Sequence, residues 1–182
     1  MGKVRFFGSE SAELFSLEIE ASFQGVLTKN FVSDPASPNA GFVFASIDGR
    51  PWSDTMWTRD AGTFLRELAL WGDLEHACLL ADCLMSLVWR NSEGFYTFPE
   101  HFKPGQPGSG SEMDGTGAIV IGLVLLWERL DPRSPARRRI EDFLHRRVSP
   151  LAYMLYRLER SPAHRGALIA ARSSRRAHPR QR

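Results

Sequence analysis

The run Ala118-Ile119-Val120-Ile121-Gly122-Leu123-Val124-Leu125-Leu126-Trp127 carries no charge and no hydrogen-bonding aliphatic side chain. Wound as a helix it is apolar around its whole circumference, and such a helix is stable in water only where neighbours enclose it. The apolar stretch, Gly117 to Trp127, is also too short to span a bilayer, which takes about 20 residues. The run therefore predicts an inner helix over 116–129 and requires other elements around it.

The rest of the chain supplies candidates. Phe15, Ile19, Phe23, Val26 and Leu27 recur at helical spacing and predict a helix over 12–29. A second, over 58–71, turns Ala61, Phe64, Leu65, Leu68 and Trp71 inward and stops at Gly72; a third covers 74–90, closed by Asn91 and Gly94. Ser134-Pro135 and Ser149-Pro150 each pair a cap residue with a proline suited to the first helical position. They open helices over 135–147, with an apolar stripe of Ile140, Phe143, Leu144 and Val148, and over 150–159, through Leu151, Leu155 and Leu158. Between the first two helices, Gly41 to Ile47 reads as a strand and Asp48-Gly49 as a tight turn, predicting a small β-hairpin near 41–52. A Gly-, Pro- and aromatic-rich loop runs from Phe95 to about Met113, a length usual for functional or disordered loops. An all-apolar helix interleaved with striped ones implies an all-α fold in two concentric layers.

Composition narrows the class. At 182 residues, 43% hydrophobic and 24% charged, the chain suits a globular domain rather than a disordered one. The last segment is basic, with Arg157, Arg160, Arg165, Arg172, Arg175, Arg176, Arg180 and Arg182 facing only Glu159. Before Arg157 the balance is mildly acidic, which argues against a nucleic-acid-binding core. Residues 161–182 are expected to be a solvated, disordered tail, with contact to RNA or anionic lipid as the alternative. Cys78 and Cys83 lie five residues apart, so on a helix their side chains diverge by about 140° and do not bridge easily. Free thiols, and an N-terminus without the apolar stretch of a signal peptide, make the cytoplasm the expected compartment and no membrane contact the expectation.

Three polar, aromatic-flanked stretches fall at helix starts or in the loops before them: Trp52 to Asp60, Gly94 to Glu100, and Gly110 to Gly115. The first and third precede inner helices and are expected on one rim. Trp57, Arg59 and Asp60 offer an aromatic plate beside a donor and an acceptor, the set a sugar needs; an ordinary surface pair with Asp60 at a helix start is the plain alternative. Glu112 and Asp114 form a close carboxylate pair suited to acid or base chemistry or to holding a cation, or else Asp114 caps the helix and Glu112 is solvated. Glu100, beside Pro99, fits a solvated loop carboxylate better than a catalytic one. His76 and His101 lack partners at metal-ligand spacing, so no metal is expected. Gly108, Gly110, Gly115 and Gly117 have neither a preceding strand nor a following Lys-Ser/Thr, which rejects a phosphate loop and leaves no cofactor expected.

Trp57-Thr58-Arg59-Asp60-Ala61 resembles the Trp-x-Arg-Asp-Ala signature opening the second helix of glucoamylase-like enzymes of the six-hairpin glycosidase superfamily. Glu112-Met113-Asp114-Gly115 is similar to the Arg-Asp-Gly segment opening their fourth helix, and the order and spacing agree over about Gly49 to Leu144. The resemblance implies an (α/α)6 toroid of helical hairpins, incomplete within residues 1–160. It also implies glycosidic bond hydrolysis, with Arg59 and Asp60 gripping hydroxyls of a terminal sugar and Trp57 walling its site; Glu112 and Asp114, on their pairing alone, are the candidate catalytic carboxylates of this chain. The pattern breaks in two places. The loop expected to carry the general acid, Arg146-Arg147-Val148-Ser149-Pro150, has no carboxylate, and six helices cannot close a ring of twelve.

The expected function is thus that of a glycoside hydrolase-like fragment of carbohydrate metabolism that binds the end of an oligosaccharide or polysaccharide and is inactive alone. Self-association through exposed inner helices is an expected consequence of an open ring. The rival is a non-catalytic carbohydrate-binding or helical interaction module. A terpenoid-cyclase-like toroid is set aside because no Asp-x-Asp-Asp run is present.

Overall fold

A computed structural model describes residues 10–46, 53–90, 96–106, 108, 110 and 113–147. The expected turn at Asp48-Gly49, the carboxylate of Glu112, the helix over 150–159 and the tail 161–182 lie outside the described residues. Within them the chain is mostly helical: α1 (Glu10–Lys29), α2 (Thr58–Trp71), α3 (Leu74–Ser86), α4 (Met113–Arg129) and α5 (Pro135–Arg146). Four two-residue strands complete it: β1 (Met56–Trp57), β2 (Trp89–Arg90), β3 (Tyr96–Thr97) and β4 (His101–Phe102). No helix among the described residues is long and apolar enough to cross a membrane.

The centre is the contact between α2 and α4. Ala61, Leu65, Leu68 and Ala69 on one side and Ile119, Leu123 and Leu126 on the other have no exposed surface. A fully buried leucine or isoleucine stabilises by about 1.5–3 kcal/mol relative to exposure, before the entropy of ordering it is subtracted. The helices approach at Gly62, where a Cβ would fall 2.5 Å from the backbone nitrogen of Ile119, so any side chain there forces them apart. Gly115 lies against Thr58, Gly62 against Ile119 and Gly122 against Leu65, so α2 and α4 run parallel with their starts side by side.

Each central helix is followed by one that returns beside it. Gly72 adopts φ 79° and its N–H, with that of Asp73, closes onto the carbonyls of Ala69 and Leu68, a left-handed end that glycine reaches without steric cost. Asp73 then caps α3, accepting from the backbone N–H of His76 and meeting its ring Nδ1 at 2.9 Å. Ser134 caps α5 in the same way, accepting from the Arg137 N–H at 3.1 Å with Pro135 next in line. The Arg137 guanidinium lies 4.1 Å over the Trp127 ring and donates to the Leu130 carbonyl, so the start of α5 lies by the end of α4, while Leu144 further on meets Val124, one turn back along α4, and the two helices run antiparallel. Arg139 of α5 donates to both oxygens of Asp82 on α3, at 3.2 and 2.7 Å.

Three elements differ from the sequence reading. Residues 41–44 pair backwards, with the segment leaving α1, while the Ala45 N–H donates to the Thr55 carbonyl at 2.9 Å across the expected turn, whose residues 47–52 lie outside those described. The Phe31–Val43 bridge is flanked by N–H donation from Val32 to Phe42 and from Phe44 to Asn30. Asn30 also donates its side-chain amide to the Phe44 carbonyl at 2.7 Å, holding the return close. The third helix stops at Ser86 rather than residue 90, since Trp89 and Arg90 are taken up by an antiparallel pairing with Thr97 and Tyr96. Finally, α4 is not enclosed all round but keeps an open strip, where Ile121 is 55% and Val124 37% exposed.

The two cysteines are free and half-buried. Burial pushes both thiols up, helped at Cys78 by Asp82 and pushed at Cys83 to about 12, so neither is a ready nucleophile at neutral pH.

Candidate functional site

The site is assembled where α2 and α4 start. Two-residue pairing of β1 with β4 sets Trp57 opposite His101, with ring centroids 5.1 Å apart. The loop carrying β4 also caps α2. The Thr58 N–H donates to the Glu100 carbonyl at 3.0 Å and its hydroxyl donates to the Pro99 carbonyl, so loop backbone replaces the side-chain cap that Trp57 does not provide. Thr97 and Thr116, both buried, face each other at 3.4 Å between their hydroxyls and tie the same loop to α4.

On this frame the charges of separate segments meet. Arg59 Nη1 donates to Asp114 Oδ2 at 3.3 Å, joining the first turns of α2 and α4; the side chains are 59% and 57% exposed. Asp114 Oδ1 accepts from the Gly115 N–H at 2.9 Å, which orients the carboxylate. Nearby in sequence, Lys103 Nζ donates to Asp54 Oδ2 at 3.1 Å and the Thr55 hydroxyl to Asp54 Oδ1 at 3.0 Å. The ammonium of Lys103, and next the Thr55 hydroxyl, hold the Asp54 carboxyl below its ordinary value. The Glu100 side chain packs over Gly110, where an added Cβ would sit 2.7 Å from Glu100 Oε2.

Trp57, Arg59 and Asp114 therefore share one rim, although the two motifs are 55 positions apart. Asp60 is exposed on the first turn of α2, but among the described residues Arg59 pairs with Asp114 rather than with the adjacent Asp60 that the sequence makes the natural pair. Asp60 projects about 100° around the helix from Arg59, whereas the parallel start of α4 stands directly alongside it. Glu112 lies outside the described residues. Lys103 and the ring contact of His101 with Trp57 have no signal in the sequence, because pairing over two residues leaves no alternation to read. No group of three or more His, Cys, Asp or Glu residues suited to a metal ion occurs among the described residues.

Chemically, the rim is a half-buried Trp57 ring in contact with His101, beside the exposed Arg59–Asp114 donor–acceptor pair and the exposed carboxylate of Asp60. Such a set of donors and acceptors next to a ring can meet hydroxyl groups. Comparison with protein-family models, with curated proteins and with solved structures finds no match to this chain.

Proposed function

We propose that the rim at the starts of α2 and α4 binds the terminal sugar of an oligosaccharide or polysaccharide, and that the chain is a glycoside hydrolase-like portion of an (α/α)6 toroid. The observation that carries this reading is the Arg59–Asp114 contact beside Trp57, which joins the two motifs of the glucoamylase-like resemblance in space. The parallel α2–α4 pair with returning α3 and α5 supports the toroid, since parallel central helices put successive loops on one rim. In the proposed complex the Trp57 ring covers an apolar sugar face, Arg59 donates to one hydroxyl and Asp60 accepts from a neighbour. Two half-buried, unbridged thiols suit a cytoplasmic setting for this activity.

Hydrolysis takes two carboxyl groups flanking the bond, about 5 Å apart in retaining and about 6.5–9.5 Å apart in inverting enzymes. Asp114, with Glu112, is the proposed contribution of this segment. The commitment of Asp114 to Arg59 and to the Gly115 N–H favours an accepting, substrate-holding role, and with it the second reading of a carbohydrate-binding module without turnover.

Calorimetric titration with a panel of neutral monosaccharides and oligosaccharides tests the proposal. Weak binding is expected, and Arg59→Ala should reduce affinity at least tenfold, consistent with about 1.5–3 kcal/mol for a charge-assisted bond. A sensitive reducing-sugar assay should find no release by the 182-residue chain. Turnover would overturn the incomplete-site argument, and affinity unchanged in Arg59→Ala would remove the rim from the reading.

A further inference from the structure

The β1–β4 ribbon has two unlike faces. Met56 and Phe102 are buried on one, 0% and 3% exposed, so alternation turns Trp57 and His101 to the other, where both rings are half-buried and in contact. Lys103, two residues beyond His101, returns to that face and stands diagonally across from Trp57, about 7–8 Å away between backbones. Its ammonium donates to Asp54 Oδ2 at 3.1 Å, and the hydroxyl of the buried Thr55 holds the other carboxylate oxygen. The Lys103–Asp54 pair stays open to water, with side chains 32% and 59% exposed. A terminal sugar held by Trp57, Arg59 and Asp60 leaves this pair unused.

We propose that Asp54 and Lys103 form a second subsite, which holds the sugar unit next to the terminal one, so that the rim selects an oligosaccharide over a monosaccharide. The inference rests on the reading of the rim as a sugar site. Its first support is position. Asp54 comes three residues before Trp57, about 10 Å along extended backbone, and Arg59 comes two residues after it, so the ring stands between two donor–acceptor pairs. One sugar unit on Trp57 with its hydroxyls on Arg59 and Asp60 leaves Asp54 and Lys103 to water, whereas a chain running along the ribbon reaches both. Chemistry is the second support. A lysine ammonium carries three donors, so Lys103 can bond a sugar hydroxyl while keeping Asp54, and the Asp54 carboxylate accepts from a neighbouring hydroxyl. Third, an ion pair this exposed contributes little to folding, so turning it towards a ligand costs the fold little.

Calorimetric titration of the full chain with glucose, galactose and mannose, and with disaccharides built on each, tests the proposal. The disaccharide of the best-bound hexose should bind about tenfold tighter than the hexose itself, as one added charge-assisted contact predicts. Lys103→Met should bring the ratio of the two affinities to about one, and Asp54→Asn, which keeps the size of the side chain, should lower the ratio independently should the first variant fail to fold. Equal affinity for hexose and disaccharide in the natural sequence, or an undiminished ratio in both variants, overturns the second subsite. If Arg59→Ala still weakens both sugars in that event, the rim remains a one-unit sugar site and this inference alone is lost; if no sugar of either length binds, the rim reading falls with it.

Discussion

The α2–α4 contact and the rim above it are built from the same two helices and differ in almost every physical respect. In the contact, Leu65, Leu123 and Leu126 are wholly buried and Gly62 permits an approach that no other residue allows. One turn earlier, Arg59 and Asp114 bridge the same helices while remaining more than half exposed. An ion pair so open to water contributes little to folding, typically about 0–1 kcal/mol. Stability therefore resides in the contact, and the rim is free to be chemical. Its groups can exchange an internal partner for a ligand at small cost to the fold.

Separation of the two regions by mutation gives the sharpest contrast. Leu65→Ala should lower unfolding free energy by about 2–5 kcal/mol, the loss of transfer energy plus a cavity against Gly122, measured by denaturant unfolding. Arg59→Ala, by comparison, should shift stability by less than about 1 kcal/mol while weakening sugar binding. A large stability loss in Arg59→Ala would erase the distinction. A smaller effect is expected for Asp73→Ala, which removes the α3 cap and should cost about 1 kcal/mol with rim chemistry untouched.

The least effect on folding is expected from Lys103→Met. Lys103 is the main cause of the lowered Asp54 carboxyl, so its loss should return the Asp54 titration, followed by carboxyl-carbon NMR, towards the ordinary value near 3.8. A group whose folded pKa is depressed stabilises above the unfolded pKa and loses that contribution as pH falls through the folded one. The contribution of the Asp54–Lys103 pair should therefore be full above about pH 4 and fade as pH falls below it, and it is weak because the pair faces solvent. An unmoved Asp54 titration would show that the pair does not persist in solution.

How much of this was legible beforehand follows the length of the signals. Helices with several turns of periodicity and explicit ends were readable: α2 begins at Thr58 and stops at Trp71 before Gly72, as its pattern dictates. Elements defined by one or two long-range pairs were not. The Phe31–Val43 bridge and the β1–β4 pairing depend on which distant segment arrives alongside, which local propensity does not encode. The same holds at the rim. Trp57, Arg59, Asp60, Glu112 and Asp114 stood out as residue types at helix starts, but the exchange of Asp60 for Asp114 as the partner of Arg59 is set by the parallel docking of two helices. The open side of α4 was hidden for a related reason: an all-apolar run states that cover is needed, not which element provides it.

The central claim, that the joined starts of α2 and α4 form a sugar site, is tested most directly by titrating a neutral oligosaccharide into isotope-labelled protein and following the backbone amides by NMR. The account predicts saturable shifts confined to residues 57–60, 101–103 and 114–116, lost together in Arg59→Ala. Shifts confined to the open strip of α4, or none at saturating sugar, would contradict it.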